Sequence, residues 1–253
     1  MVKKAFLSVL LAMPGALAAQ EGRIAFSRSV QYDFELPEGM PEEMRERIPG
    51  ARVSELLLFF TPTESVMVEA ASPEPQAEGQ DRRTAGFAAR MRRNSTSRSD
   101  QEELIASHVN LTDGSMTEAR TFLGRTFRIT SERPTYAWSL GGEQREFLGY
   151  VVQKATAEHE GRSIEAWFTM QIPVSGGPGP YGGLPGMILL VSVDEGHTLY
   201  AASDVNLDGL AGYEIRPPES GDEVSWAEYE MIVEEKLAEL ELNQSRGDRR
   251  RPF

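Results

Sequence analysis

The sequence predicts a mainly β protein, built as one large curled antiparallel sheet with a single C-terminal α-helix. Short segments in which apolar and polar residues alternate recur along most of the chain, and turn-forming residues separate them. Only one segment has the three- and four-residue apolar spacing of a long helix. Closely spaced strands with short connections favour antiparallel pairing over βαβ units. We expect about ten strands, and a sheet of that size must curl or close.

The strands are expected in two groups, one on each side of a polar segment. In the first strand, Ile24, Phe26 and Val30 alternate with polar residues, and Arg28 interrupts the apolar face. Met187–Val193 is almost wholly apolar, which is typical of a central strand covered on both faces. The other expected strands lie at 53–60, 66–68, 108–111, 121–130, 136–140, 147–154, 163–172 and 197–202.

The expected helix runs from Trp226 to about Asn243. Its apolar residues recur at helical spacing, and Ser225 is the predicted N-cap. Glu228 stands three residues later, so the pair predicts a capping box.

The N-terminal residues predict a cleavable secretory signal peptide at 1–18. Lys3 and Lys4 precede the apolar run Ala5–Ala12, and Ala16-Leu17-Ala18 fits the small-x-small cleavage pattern. We expect a single β domain at 19–243 with a mobile insertion at about 70–103, and a disordered basic tail at 244–253. Because the sequence contains no cysteine, we expect no disulfide, no thiol chemistry and no lipoprotein anchor. The expected location is the periplasm or the cell exterior, in a soluble state.

The charge balance limits the partners. The net charge is −13, which argues against binding of nucleic acid or of anionic lipid. No apolar segment after the signal is long enough to cross a bilayer as a helix. The oligomeric state stays open.

The most distinctive stretch is Ala166–Leu190, which reads AWFTMQIPVSGGPGPYGGLPGMILL. It resembles the GLPGLI family of exported bacterial proteins, whose motif stands here as Gly183, Leu184, Pro185, Gly186, Met187 and Ile188. The resemblance extends over most of residues 22–240, outside the insertion. Met187 replaces the family's usual leucine, and Val152 stands where relatives often carry cysteine. The resemblance implies export and a bowl-like or half-barrel sheet, and it implies no established activity.

Residues 172–186, here called the Gly/Pro loop, have two interpretations. Proline lacks a backbone donor and fixes φ, whereas glycine permits positive φ and close backbone approach. The loop can therefore fix a sharp chain reversal before a buried strand, or it can form a rigid rim whose amides or Tyr181 contact a ligand. It is not a phosphate loop, because no Gly-Lys-Ser/Thr follows it.

Metal and catalytic signals are sparse. Asp204, Asn206 and Asp208 imitate the first half of a calcium loop, but Ile215 stands where the bidentate glutamate belongs. An acidic turn is the simpler interpretation, and a weak calcium site is the alternative. The histidines, His108, His159 and His197, have no metal-site spacing. We therefore predict no catalytic residue, no cofactor and no other metal ligand.

Four aromatic residues are candidates for a concave, ligand-facing surface: Trp138, Tyr150, Trp167 and Tyr181. Core packing is the alternative for each. The resulting hypothesis is an exported envelope protein, non-enzymatic, that binds a hydrophobic or extended ligand or docks on a membrane protein. A secreted hydrolase that uses carboxylates or His197 on the concave sheet is the second hypothesis, and a calcium-stabilised surface module is the third.

Overall fold

The structure is a computed structural model, and it describes residues 20–32, 50–70 and 97–248, with isolated residues at 39, 41, 42, 86, 90 and 95. The predicted signal peptide, most of the predicted insertion and the last residues of the predicted tail lie outside the described residues.

Twelve strands form one sheet, in the order β12-β6-β5-β4-β3-β2-β1-β11-β10-β9-β8-β7. The order is open, with β12 and β7 at its edges, and every pairing is antiparallel except that of β12 with β6. This confirms the predicted fold class. The elements are β1 (Gly22–Gln31), β2 (Ala51–Phe60), β3 (Glu64–Glu69), α1 (Arg98–Gln101), β4 (Glu102–Asn110), β5 (Ser115–Phe122), β6 (Arg125–Glu132), β7 (Ser139–Phe147), β8 (Tyr150–His159), β9 (Arg162–Thr169), β10 (Met187–Val193), β11 (Thr198–Asn206), β12 (Asp222–Ser225) and α2 (Trp226–Asp248).

Several boundaries differ from the sequence prediction. The segment predicted as one strand at 121–130 contains a hairpin turn, because Leu123 and Gly124 both adopt positive φ between β5 and β6. Residues 98–103, which lie within the predicted mobile insertion, form α1 and the start of β4. Helix α2 continues to Asp248, five residues into the predicted disordered tail. The four-residue strand β12 was not predicted.

The start of α2 confirms the predicted capping box. The backbone N–H of Ser225 donates to Glu228 Oε2 at 2.8 Å, and the backbone N–H of Glu228 donates to Ser225 Oγ at 3.3 Å. The apolar stripe of the helix then packs Tyr229 and Val233 against a small cluster on β5 and β6 that contains Phe127 and Ile129. The helix therefore covers one end of the inner face of the sheet.

The larger hydrophobic cluster joins β1–β4 to β8–β11 and includes the Gly/Pro loop. The loop folds back along β10: the N–H of Ile188 donates to the carbonyl of Gly176 at 3.0 Å. Its Gly179 lies beside the side chains of Met67 and Leu104, which belong to strands on the other side of β1 in the sheet order. Because a loop next to β10 reaches those strands, the sheet curls around it.

The loop also bridges to the chain between β6 and β7. Arg133 Nη1 donates to the carbonyl of Ser175 at 3.2 Å, and Trp138 Nε1 donates to the carbonyl of Gly182 at 2.9 Å. These bonds help close the concave side. Among the described residues, no helix has the length and apolar character needed to cross a membrane.

Candidate ligand-binding cavity

The concave side of the sheet holds a cavity of about 1170 Å³. One wall comes from β1, β9, β10 and β11, and the opposite wall comes from α1, β4, β5, β6 and the first turns of α2. Pro180 and Tyr181 of the Gly/Pro loop lie along its margin. The cavity thus lies between the two hydrophobic clusters, at the place where neither loop nor helix fills the curled sheet.

Aromatic rings form a continuous row along the cavity. Tyr200 meets Tyr181 at 5.8 Å between ring centroids, Tyr181 meets Tyr136 at 5.7 Å, and Tyr136 meets His159 at 5.1 Å. Burial raises the pKa of Tyr136 above its usual range, and the charge of Glu118 adds to that shift. Burial likewise raises the pKa of Tyr181. Both phenols therefore stay protonated at neutral pH, and each presents a hydrogen-bond donor beside an apolar ring face.

The opposite wall carries a network of ion pairs. Arg120 bonds to the carboxylates of both Glu118 and Glu102, and Arg98 also bonds to Glu102. Arg98 makes a two-pronged contact with Glu230 on α2, at 2.8 Å for each nitrogen. Burial alone would raise the pKa of Glu102, but the guanidinium groups of Arg120 and Arg98 hold it below its usual range. The network ties α2 to α1, β4 and β5.

Arg28 on β1 differs from the other cationic residues of the cavity. It is 4 % exposed, and its Nε and Nη2 have no hydrogen-bond partner among the described residues. On the opposite wall, the side chain of Glu118 is also fully buried. Its Oε1 accepts no hydrogen bond from the described chain. Native structures leave few buried polar groups unsatisfied, so these three atoms call for an explanation.

The four aromatic candidates lie in different surroundings. Tyr181 lines the cavity, and Trp138 packs against Tyr136 at 5.3 Å while it bonds to the Gly/Pro loop. Tyr150 is half-buried at the margin of the large hydrophobic cluster. Trp167 lies on the other face of β9 from the cavity-lining Ile164, and the guanidinium of Arg145 stacks 3.9 Å from its ring. The structure therefore brings Trp138 and Tyr181 together and leaves Trp167 apart.

The family motif lies in the core. Leu184, Met187 and Ile188 are buried, whereas Gly183 and Pro185 are exposed. A Cβ on Gly186 would stand 2.1 Å from the backbone oxygen of Thr169, so only glycine fits there. No residue of the motif lines the cavity. This geometry favours the structural interpretation of the motif. Within the Gly/Pro loop, Pro180 and Tyr181 are the residues that line the cavity.

The calcium candidates do not converge on a common point. Asp204 faces Arg23, with 3.7 Å between Oδ2 and Nη2, and Asn206 Oδ1 accepts the backbone N–H of Asp208 at 2.8 Å. In the described ranges of the chain, no group of three or more acidic or histidine side chains is arranged to hold a metal ion. The turn interpretation fits this local hydrogen bonding.

The polar groups of the cavity were mostly missed by reasoning from sequence. Glu102, Glu118 and Arg120 lie in strands whose patterns did not single them out. Arg28 gave a signal, since it interrupts the apolar face of its strand. A charged residue in the middle of a buried face is either paired or functional, and the sequence alone does not show which.

The comparisons with known proteins agree with this description and add no activity. The family model described as "Protein of unknown function (Porph_ging)" matches residues 158–190, which span β9, the Gly/Pro loop and the first half of β10. That match is consistent with the GLPGLI resemblance. No curated protein matches the chain.

Two solved structures of PNGF-II resemble the fold. One, in space group P21, has a TM-score of 0.53 at 14% sequence identity, and the match covers 85% of this chain and 33% of that one. The other, in space group C2, has a TM-score of 0.50 at 15% identity with the same coverage. The chain thus spans about a third of the length of PNGF-II. The chain is therefore similar in sequence, over residues 158–190, to a family of unknown function, and similar in fold to one part of PNGF-II.

Proposed function

We propose that this protein is an exported, non-enzymatic binding protein that holds a small polar molecule in its concave cavity. The observation that carries the proposal is the lining of the cavity, where buried polar atoms of Arg28 and Glu118 lack protein partners beside a row of aromatic rings. Cavities with a few convergent polar groups and aromatic walls are the usual sites of small ligands.

The lining favours a polar ligand over the hydrophobic one that the sequence suggested. Five arginine and five glutamate side chains line the cavity, alongside apolar side chains such as Leu104, Ile164 and Val193 of the large cluster. Leaving a buried donor or acceptor without a partner costs about 1–3 kcal/mol per group. A ligand that bonds to these groups offsets that cost, and a purely apolar ligand leaves it in place.

The two carboxylates that pair with Arg120, those of Glu102 and Glu118, support binding better than hydrolysis. A glycosidase-type mechanism needs one carboxyl group that is protonated near neutral pH. The pKa of Glu102 is held below its usual range by two arginines, and Glu118 is also paired with Arg120. Glu102 is consequently an ionised, structurally fixed carboxylate.

Export is part of the proposal, and the basic, apolar and small-residue segments of 1–18 support it. An exported protein that encloses a polar molecule fits an accessory or carrier role in the cell envelope.

Native mass spectrometry of the protein, secreted from a Gram-negative host and purified without ligand exchange, tests the binding role. We expect additional mass on the wild-type protein, released on denaturation as a small polar molecule. The variant Thr198→Trp places a large ring in the cavity and should carry less of it, whereas Ser203→Trp, at an exposed position of the same strand, should carry as much as the wild type. Equal amounts on all three proteins, or none on any, would overturn the proposal.

A further inference from the structure

Arg28 occupies an unusual place for an arginine. It lies on the same face of β1 as Ile24, Phe26 and Val30, all of which are buried. Its cross-strand neighbours are Tyr200 on β11 and Ser54 on β2, and neither carries a charge. The guanidinium is thus held in the inner face of the sheet by its strand, with the cavity in front of it.

The other arginines of the cavity wall have acidic partners in the structure. Arg98 pairs with Glu230, Arg120 with Glu118, Arg162 with Asp194 and Arg52 with Glu103. Arg28 has no acidic partner among the described residues, although it is the most deeply buried of this set. Burial of a charge is unfavourable unless an opposite charge or strong hydrogen bonds compensate it. The compensating group must therefore come from outside the described chain.

The shape and chemistry of the guanidinium define that group. Arginine presents its donors in a planar fork that matches carboxylate and phosphate oxygens in pairs. The ring of Tyr200, on the neighbouring strand, begins the aromatic row that continues through Tyr181 to Tyr136. A molecule whose acidic group reaches Arg28 consequently has an apolar ring surface beside it, on which a flat ligand face packs.

We infer that Arg28 anchors an anion subsite, and that the ligand of the cavity bears a carboxylate, phosphate or sulfate group next to a flat face. This inference rests on the proposed function and specifies its ligand class. The unpartnered Oε1 of Glu118 adds a second requirement, since it accepts a hydrogen bond from a hydroxyl or amine of the same molecule.

The test compares probes with and without an anionic group. Glucuronate and glucose share the ring and differ by the carboxylate, and inorganic phosphate and sulfate represent the other two anions. The protein is first unfolded and then refolded to remove any bound ligand, and each probe is titrated into it by calorimetry. Added chloride keeps the ionic strength the same in every titration, because salt screening alone weakens charge pairs. The variants are Arg28→Met and, as a control, Arg23→Met, which lies on the same strand but on the opposite face.

We expect at least one anion to bind the wild type and Arg23→Met alike, and to bind Arg28→Met about ten- to hundredfold more weakly, as the loss of hydrogen bonds to a charged group predicts. Preference for glucuronate identifies a carboxylate ligand, and preference for phosphate or sulfate identifies those groups. Arg28→Lys should retain part of the affinity, because it keeps the charge and loses the fork.

Three results would overturn the inference: glucose binds as tightly as glucuronate, Arg28→Met binds the anion as well as the wild type, or no anion binds. The native mass measurement separates these from failure of the proposed function. A neutral molecule released from the wild type and reduced in Thr198→Trp would preserve the binding role and exclude the anion subsite. Binding of an anion that depends on Arg28, with no molecule released from the purified protein, would overturn the proposed function and leave the anion subsite standing.

Discussion

Replacement of Arg28 by methionine should make the ligand-free protein more stable. Methionine has a similar length and flexibility, so it can occupy the path of the arginine stem without a charge. Arg28 is 4 % exposed and has two nitrogens without partners in the described chain. Its removal therefore breaks no hydrogen bond or ion pair of the described structure, and it relieves the burial of a cation.

The size of the effect follows from these two nitrogens. Each buried donor without a partner costs about 1–3 kcal/mol, and replacement of buried charges by apolar groups of similar volume stabilises proteins by about 1–4 kcal/mol. We expect an increase of about 2 kcal/mol in the free energy of unfolding. For a chain of this size that increase corresponds to a rise of roughly 4–8 °C in the melting temperature.

Urea denaturation and calorimetry of refolded, dialysed protein measure this change. The control Arg23→Met breaks a partly exposed pair with Asp204 and removes one buried nitrogen, Nε, that has no partner in the described chain. Its effect on stability should therefore be smaller than that of Arg28→Met, which removes two such nitrogens. A decrease in the stability of Arg28→Met in the ligand-free state would refute the reasoning, because it would show that Arg28 has stabilising partners within the protein.

Three further predictions concern the core and the ion pairs. Gly186→Ala should lower the free energy of unfolding by more than about 3 kcal/mol in urea titration, because the new Cβ would overlap the backbone oxygen of Thr169; near-wild-type stability would contradict the structural role of the motif. Glu102→Gln should be less stable than the wild type at pH 7 by about 3 kcal/mol, since a buried ion pair loses one partner. Because the pKa of Glu102 is lowered in the folded state, this difference should be complete above the ordinary value of 4.5 and should shrink as the pH falls below it; a difference independent of pH in acid titration would contradict this. Tyr229→Phe should stabilise the protein by about 1 kcal/mol in thermal unfolding, since the hydroxyl is buried without a partner in the described chain, and a clear loss of stability would point to a bound water.

The features predicted well from the sequence are those that depend on local chemistry. The alternation along β1 and the apolar run of β10 indicate strands whatever their neighbours are. Ser225 and Glu228 form the capping box within one turn, so no distant contact is needed to recognise it.

Features that depend on tertiary contacts were missed. The turn between β5 and β6 places Leu123 at φ 49°, a conformation that leucine seldom adopts, so no turn residue marked it except Gly124. β12 is four residues long and is held by parallel pairing to β6, which the sequence does not encode locally. Two-residue periodicity places Trp167 on one face of its strand, but it does not tell which face is concave.

The same limit applies to the cavity. The sequence marks Arg28 as an interruption of an apolar face, and only the curled sheet shows that no acidic side chain of the described chain reaches it. Arg98 and Glu102 lie in a polar stretch that predicts a solvated loop, yet they form the ion-pair network beneath α2. Pairing partners separated by more than a hundred residues, such as Arg98 and Glu230, follow from the fold and not from local pattern.

The cost of the unpartnered arginine is itself an argument for function. The larger hydrophobic cluster and the small cluster beneath α2 show that this fold can fill the inner face of its sheet with apolar side chains. β1 continues that apolar face on both sides of Arg28, with Phe26 and Val30, so an apolar residue at this position would satisfy the strand pattern and avoid the burial of a charge. Proteins keep locally unfavourable residues chiefly where a site requires them. Because an apolar residue fits this position and is expected to be more stable there, a ligand that supplies the counter-charge best explains the guanidinium. The opposing changes in stability and anion affinity that we expect for Arg28→Met are the signature of that arrangement.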